Sequence, residues 1–102
     1  MKFLFQATIP HEAFNAAILD GSIGDKMHRI MDSMKPEAVY FTAINGKRNA
    51  IMVINMNDAS ELPALSEPWF ILFNADVNVS PFMTPEDLGK ANLDEIGKKW
   101  GK

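Results

Sequence analysis

The chain has 102 residues, of which 47% are hydrophobic and 23% charged, the make-up of one globular domain (1–102) with a modest core. A formal net charge of −3, with no strongly basic window, argues against binding to a nucleic-acid backbone or an anionic membrane surface. The absence of cysteine excludes disulfides, thiolate metal sites and a Cys nucleophile, and fits a reducing, cytoplasmic setting.

The start, MKFLFQATIPHE, has one Lys and only a short apolar run before Pro, His and Glu, so it does not read as a secretory signal. No run approaches the roughly 18 apolar residues of a membrane span. Met1–Ile9 reads as a first strand, with Phe3, Phe5, Ala7 and Ile9 on one face and Leu4, Gln6 and Thr8 on the other. Pro10 opens a helix, with Thr8 or Ile9 as its cap. Phe14, Ala17 and Ile18 keep helical spacing until Gly21 and Gly24 interrupt it. Ser22 and Asp25 resemble a fresh helix start, followed by a stripe of Ile23, Met27, Ile30, Met31 and Met34. Two helical parts, about 10–20 and 23–34, are therefore predicted, and Pro36 prevents continuation.

Ala38–Asn57 reads as a β-hairpin turning on Asn45-Gly46, residues that tolerate positive φ. A two-residue loop sets Ile44 opposite Lys47, Thr42 opposite Asn49, Tyr40 opposite Ile51 and Ala38 opposite Val53. That face is mixed, apolar groups alternating with a phenol, a hydroxyl and amides. The other face, Val39, Phe41 and Ala43 against Ala50, Met52, Ile54 and Met56, is apolar except for Arg48 beside the turn. Asp58 or Ser60 then caps a helix carrying Leu62, Leu65, Trp69, Leu72 and Phe73. Pro68 inside it predicts a kink or a junction of two short helices, with a free carbonyl near Ala64. Ala75–Ser80 is a fourth strand. Thr84-Pro85-Glu86-Asp87 starts a terminal helix of about 85–99, weakened at Gly89 and Gly97.

The order β-α-β-β-α-β plus a terminal helix is that of an α+β, ferredoxin-like fold. Right-handed crossovers give a four-stranded antiparallel sheet in order 4-1-3-2, with both main helices on one side. The mixed face of the sheet then lacks a helix. Leu4, Tyr40, Ile44, Ile51 and Val53 make it too apolar for water, so a second copy packed sheet to sheet is expected.

This order resembles the dimeric α+β-barrel superfamily, which includes muconolactone isomerase, YciI-like proteins and cofactor-independent monooxygenases. More narrowly, KPEAVYF, NGKR, ASELPALSEPWFILFNADV and PFMTPEDLGKA resemble an uncharacterised bacterial family of short ferredoxin-like proteins, over most of residues 1–92. The resemblance implies a homodimeric α+β barrel and no catalytic set. A pantothenate-synthetase activity, a label some relatives bear, is opposed by the lack of a His-x-Gly-His motif and of room for an ATP-binding domain.

The candidate chemistry is sparse. His11 and His28 are the only imidazoles, and their spacing is not a metal signature. His11 is either a solvated helix-start residue or a general base near the end of the first strand. Tyr40, Thr42, Asn55 and Gln6 either bond across a dimer interface or line a small-molecule cavity, Tyr40 being the second acid–base candidate. Trp69 and Phe73 are core residues or one wall of an apolar pocket, with Glu67 and Asn74 as polar handles. Arg48 either reaches solvent or anchors a carboxylate. No cofactor or metal is expected. The sequence supports a small-molecule-binding homodimer with an apolar pocket for an organic carboxylate or aromatic molecule. The alternatives are a cofactor-independent isomerase or monooxygenase and a pure oligomerisation module.

Overall fold

The computed structural model describes residues 1–101. Strand β1 (Lys2–Ile9) leads through Pro10 into helices α1 (His11–Leu19) and α2 (Ile23–Met34). A hairpin of β2 (Ala38–Ile44) and β3 (Lys47–Asn55) follows, then α3 (Leu62–Phe73), β4 (Asp76–Pro81), α4 (Pro85–Lys90) and α5 (Leu93–Trp100). The sheet is antiparallel in order β2-β3-β1-β4, the ferredoxin-like arrangement.

The hairpin keeps the register its turn dictates. Asn45 and Gly46 have φ of 53° and 77°, the left-handed pair of a tight hairpin turn, and Ile44–Lys47, Thr42–Asn49, Tyr40–Ile51 and Ala38–Val53 face each other. β1 lies beside β3 with Phe5 opposite Met52 and Ala7 opposite Ala50. One sheet face therefore presents Phe5, Ala7, Ile9, Ala50, Met52 and Ile54, all buried, to Ala17, Ile30, Met34, Trp69 and Phe73 of the helices. Trp69 and Phe73 lie 6.1 Å apart between ring centroids, and Trp69 lies 6.2 Å from Phe5. The Trp69 indole N–H donates to Met34 Sδ at 3.2 Å, so its one polar group is matched inside the core.

Several boundaries differ from the sequence reading for local reasons. Pro10 is the cap of α1, with extended backbone (φ −61°, ψ 154°), so neither Thr8 nor Ile9 caps it. Pro68 does not divide the second main helix in two: α3 is one helix from Leu62 to Phe73, ended by Asn74 at φ 52°. The start of α3 is instead separated off as a turn of 3₁₀ helix, Ala59–Glu61. Asp58 accepts from the Ser60 amide at 2.8 Å, and Glu61 accepts from Asn57 and Asp58 amides. The Ser60 amide holds the Asp58 carboxyl below its ordinary pKa. Because the folded value is depressed, this cap is intact above the ordinary carboxylate range and is lost as pH falls through the lowered value. The protection of the Ser60 amide, relative to its intrinsic exchange rate at each pH, is therefore expected to fall in acid before global unfolding, and pH-independent protection would contradict the cap.

The C-terminal segment departs most from expectation. The helix predicted over 85–99 is two helices, and the break falls at Asn92, with φ 58°, rather than at Gly89 or Gly97. Asn tolerates this left-handed conformation through its short polar side chain. Thr84 and Asp87 form a reciprocal cap at the start of α4. Neither α4 nor α5 packs substantially on the sheet or the helix layer. The molecule consequently measures 61 × 30 × 20 Å, its C-terminal segment extending from the body.

Candidate functional site

Two surfaces hold the residues from which a site can be built. The first is the open face of the sheet, which no helix covers. Leu4, Tyr40 and Ile44 are exposed there, beside half-buried Ile51 and Val53. Its polar groups are largely committed to one another. Asn49 is only 2% exposed, and its Oδ1 accepts from Gln6 Nε2 and from Thr8 Oγ1, each at 3.0 Å. Asn49 Nδ2 donates to the Lys47 carbonyl at 3.1 Å, completing a satisfied network across β1 and β3. Asn55 donates to Glu37 Oε1 at 3.2 Å, and Glu37 also meets Lys2 at 3.0 Å. Of the four polar residues expected on this face, Gln6 and Asn55 therefore have partners within the chain. Tyr40 and Thr42 lie exposed on β2, with no side-chain hydrogen bond among the described residues.

The second surface is a groove at the β2 edge on the helix side. Phe14, Met27, His28, Met31 and Phe41 enclose an open volume of about 410 Å³, within the usual range for ligand pockets. Strand alternation places Phe41 on the apolar face, but β2 is the outermost strand and the helix layer stops short of it. Phe41 is left 59% exposed, and Ala43 is exposed with it. The Arg48 guanidinium lies over the Phe14 ring, 4.5 Å from its centroid. Arg48 Nη1 is buried and has no hydrogen-bond partner among the described residues. A buried guanidinium donor without an acceptor is costly, and a carboxylate is the group that best satisfies it.

The remaining candidates are dispersed. His11 is exposed on the first turn of α1 and does not line the β2-edge groove. Trp69 is fully buried in the core. Phe73 is buried too, its ring 5.2 Å from that of Phe14, and it reaches a groove with Asn74 at the start of α1. Glu67 borders two open grooves along α3, one against Val77 and Val79 of β4 and one beside Pro68 and Arg29. The structure thus places His28 on the β2-edge groove and Arg48 against the Phe14 ring that lines it, and brings Gln6, Thr42 and Asn49 to one face, but does not gather His11, Glu67 and Tyr40.

Asn49 and the Phe41–Met27–Met31 groove escape a reading of the sequence. The signal for Asn49 is its position opposite both Thr42 and Thr8, which needs the β1–β3 register as well as the hairpin. Among the described residues no cluster of three or more His, Asp or Glu side chains is arranged to hold a metal ion, and no helix is long and apolar enough to cross a membrane. No protein-family model matches the chain, and no curated protein matches it.

Proposed function

We propose that two copies of this chain pair through their open sheet faces, as in a dimeric α+β barrel, and that the dimer binds a small apolar or aromatic carboxylate at the β2-edge groove. The observation that supports the ligand assignment is the Arg48 guanidinium, stacked over the Phe14 ring that lines the apolar groove and carrying a buried Nη1 with no acceptor among the described residues. A hydrocarbon or aryl body fits against Phe41, Met27 and Met31, and its carboxylate completes the Arg48 hydrogen bonding. His28, exposed at the rim, supplies a further polar contact. The strand order and the uncovered apolar residues Leu4, Tyr40 and Ile44 support the pairing and the superfamily resemblance. Binding rather than acid–base catalysis is proposed because His11 is exposed and does not line the groove.

Titration calorimetry with benzoate, hexanoate and neutral benzyl alcohol tests the assignment. The carboxylates are expected to bind, and Arg48→Met to weaken them by about tenfold or more, the value of a charge-assisted hydrogen bond. Equal binding of the alcohol, or Arg48→Met binding like the natural chain, would remove the carboxylate assignment.

A further inference from the structure

Among the described residues no hydrophobic side chain beyond Val79 belongs to the core cluster or packs against it. Residues 82–101 form an arm, yet its composition is not that of a solvated tail. Met83 is 64% exposed, Leu88 45%, Leu93 56%, Ile96 46% and Trp100 75%. In α5, Leu93, Ile96 and Trp100 recur at helical spacing and define one stripe, with Asp94, Glu95, Lys98 and Lys99 on the opposite side. Helices of six and eight residues do not hold themselves together in water and draw their stability from docking.

The opposite edge of the sheet has a matching deficit. β2 is an outer strand with Tyr40 67% exposed on the open face and Phe41 59% exposed on the helix side. Sheet-to-sheet pairing covers Tyr40 but not Phe41, which leaves an aromatic residue uncovered on the helix side of the edge strand.

We propose that the arm of one copy of this chain docks, through Leu88, Leu93, Ile96 and Trp100, on the β2 edge of a second copy, which returns its own arm in the same way. The arm leaves from β4 at one edge of the sheet, and the exposed aromatics lie on β2 at the other. Two sheets packed face to face about a two-fold axis parallel to the strands set β4 of one copy over β2 of its partner. The arm then has only to step across the roughly 10 Å between the sheets. One symmetric exchange covers both surfaces with no third component.

The charge of the arm supports this occupant over a lipid surface. Glu86, Asp87, Asp94 and Glu95 balance Lys90, Lys98, Lys99 and Lys102 in the sequence, so the segment carries no net positive charge, unlike the basic face of a membrane-surface helix. The docking presupposes the sheet-to-sheet pairing proposed above. It adds the segment that clasps that pairing and closes the mouth of the groove beside Arg48.

The natural chain offers a direct readout, because Trp69 is buried and Trp100 is not. In the dimer, acrylamide quenching is expected to fall several-fold below that of free tryptophan for both indoles, with Trp100→Phe as the control that isolates the Trp69 signal. A second readout exploits the lack of native cysteine. A chain with His28→Cys and Lys99→Cys, both exposed positions, is expected to give an interchain product with a short bismaleimide. A dimer in which Trp100 stays fully quenchable and no interchain product forms would overturn the arm docking and leave the sheet pairing standing. An intrachain product alone would overturn it too, by placing the arm on its own body. A monomer would remove the sheet pairing and the arm exchange together.

Discussion

Trp69→Ala is expected to lower the unfolding free energy by about 3–5 kcal/mol, the range for removing a large buried aromatic side chain. Trp69 is completely buried, contacts the rings of Phe5 and Phe73, and spans from the sheet to α2 through its hydrogen bond to Met34. Truncation leaves a void where β1, α2 and α3 meet. Since the whole stability of a domain is about 5–15 kcal/mol, little would remain. Trp69→Phe keeps most of the ring and loses the indole donor along with some volume, so a much smaller loss is expected. Urea unfolding followed by circular dichroism separates the two. A loss below about 1 kcal/mol for the alanine variant would mean that Trp69 does not join the two layers.

In the proposed sheet-to-sheet dimer, Ile51→Glu is expected to separate the two copies without unfolding the subunit. Ile51 is half-buried in the middle of the open sheet face, between Tyr40 on β2 and Gln6 on β1. In an isolated copy a carboxylate there still reaches water. In a sheet-to-sheet pair it is buried twice by symmetry, and each burial of an unpaired charge costs several kcal/mol. Dissociation constants should rise by about a hundredfold or more, equivalent to some 3 kcal/mol. The contrast is Ile54→Glu, one face over and 1% exposed, which should unfold the subunit itself. If Ile51→Glu sediments like the natural chain, the open face is not the interface.

The hairpin was fully legible in the sequence because its two determinants are local. Asn45-Gly46 sets the turn, and side-chain alternation then fixes every cross-strand pair from Ala38–Val53 to Ile44–Lys47. The strand order followed from the element sequence and the crossover rule. The division of the first helical region at Gly21, with φ 83°, was likewise written in its glycines. What the sequence could not supply is tertiary. Alternation says that Phe41 belongs on the apolar face, but not that the helices fail to reach the outer strand. The composition of β1 and β3 shows polar groups on the mixed face, but only the register brings Gln6 and Thr8 onto Asn49. The break in the terminal helix was not legible because Asn adopts a left-handed backbone only in some contexts, and nothing local marks Asn92 as such a position. Arg48 was visible as a lone cation on an apolar face; its stacking on Phe14 and its unmatched Nη1 required the packing of α1 on the sheet.

The sheet face that ends uncovered in one copy is the premise for the pairing, the closing of the groove and the exchange of arms. Sedimentation equilibrium of the natural chain at micromolar concentration tests that premise most directly. A single species of twice the 11.4 kDa chain mass is expected, persisting at high salt because the contact is mainly apolar. A monomer under those conditions, with Leu4, Tyr40 and Ile44 open to water, would contradict it.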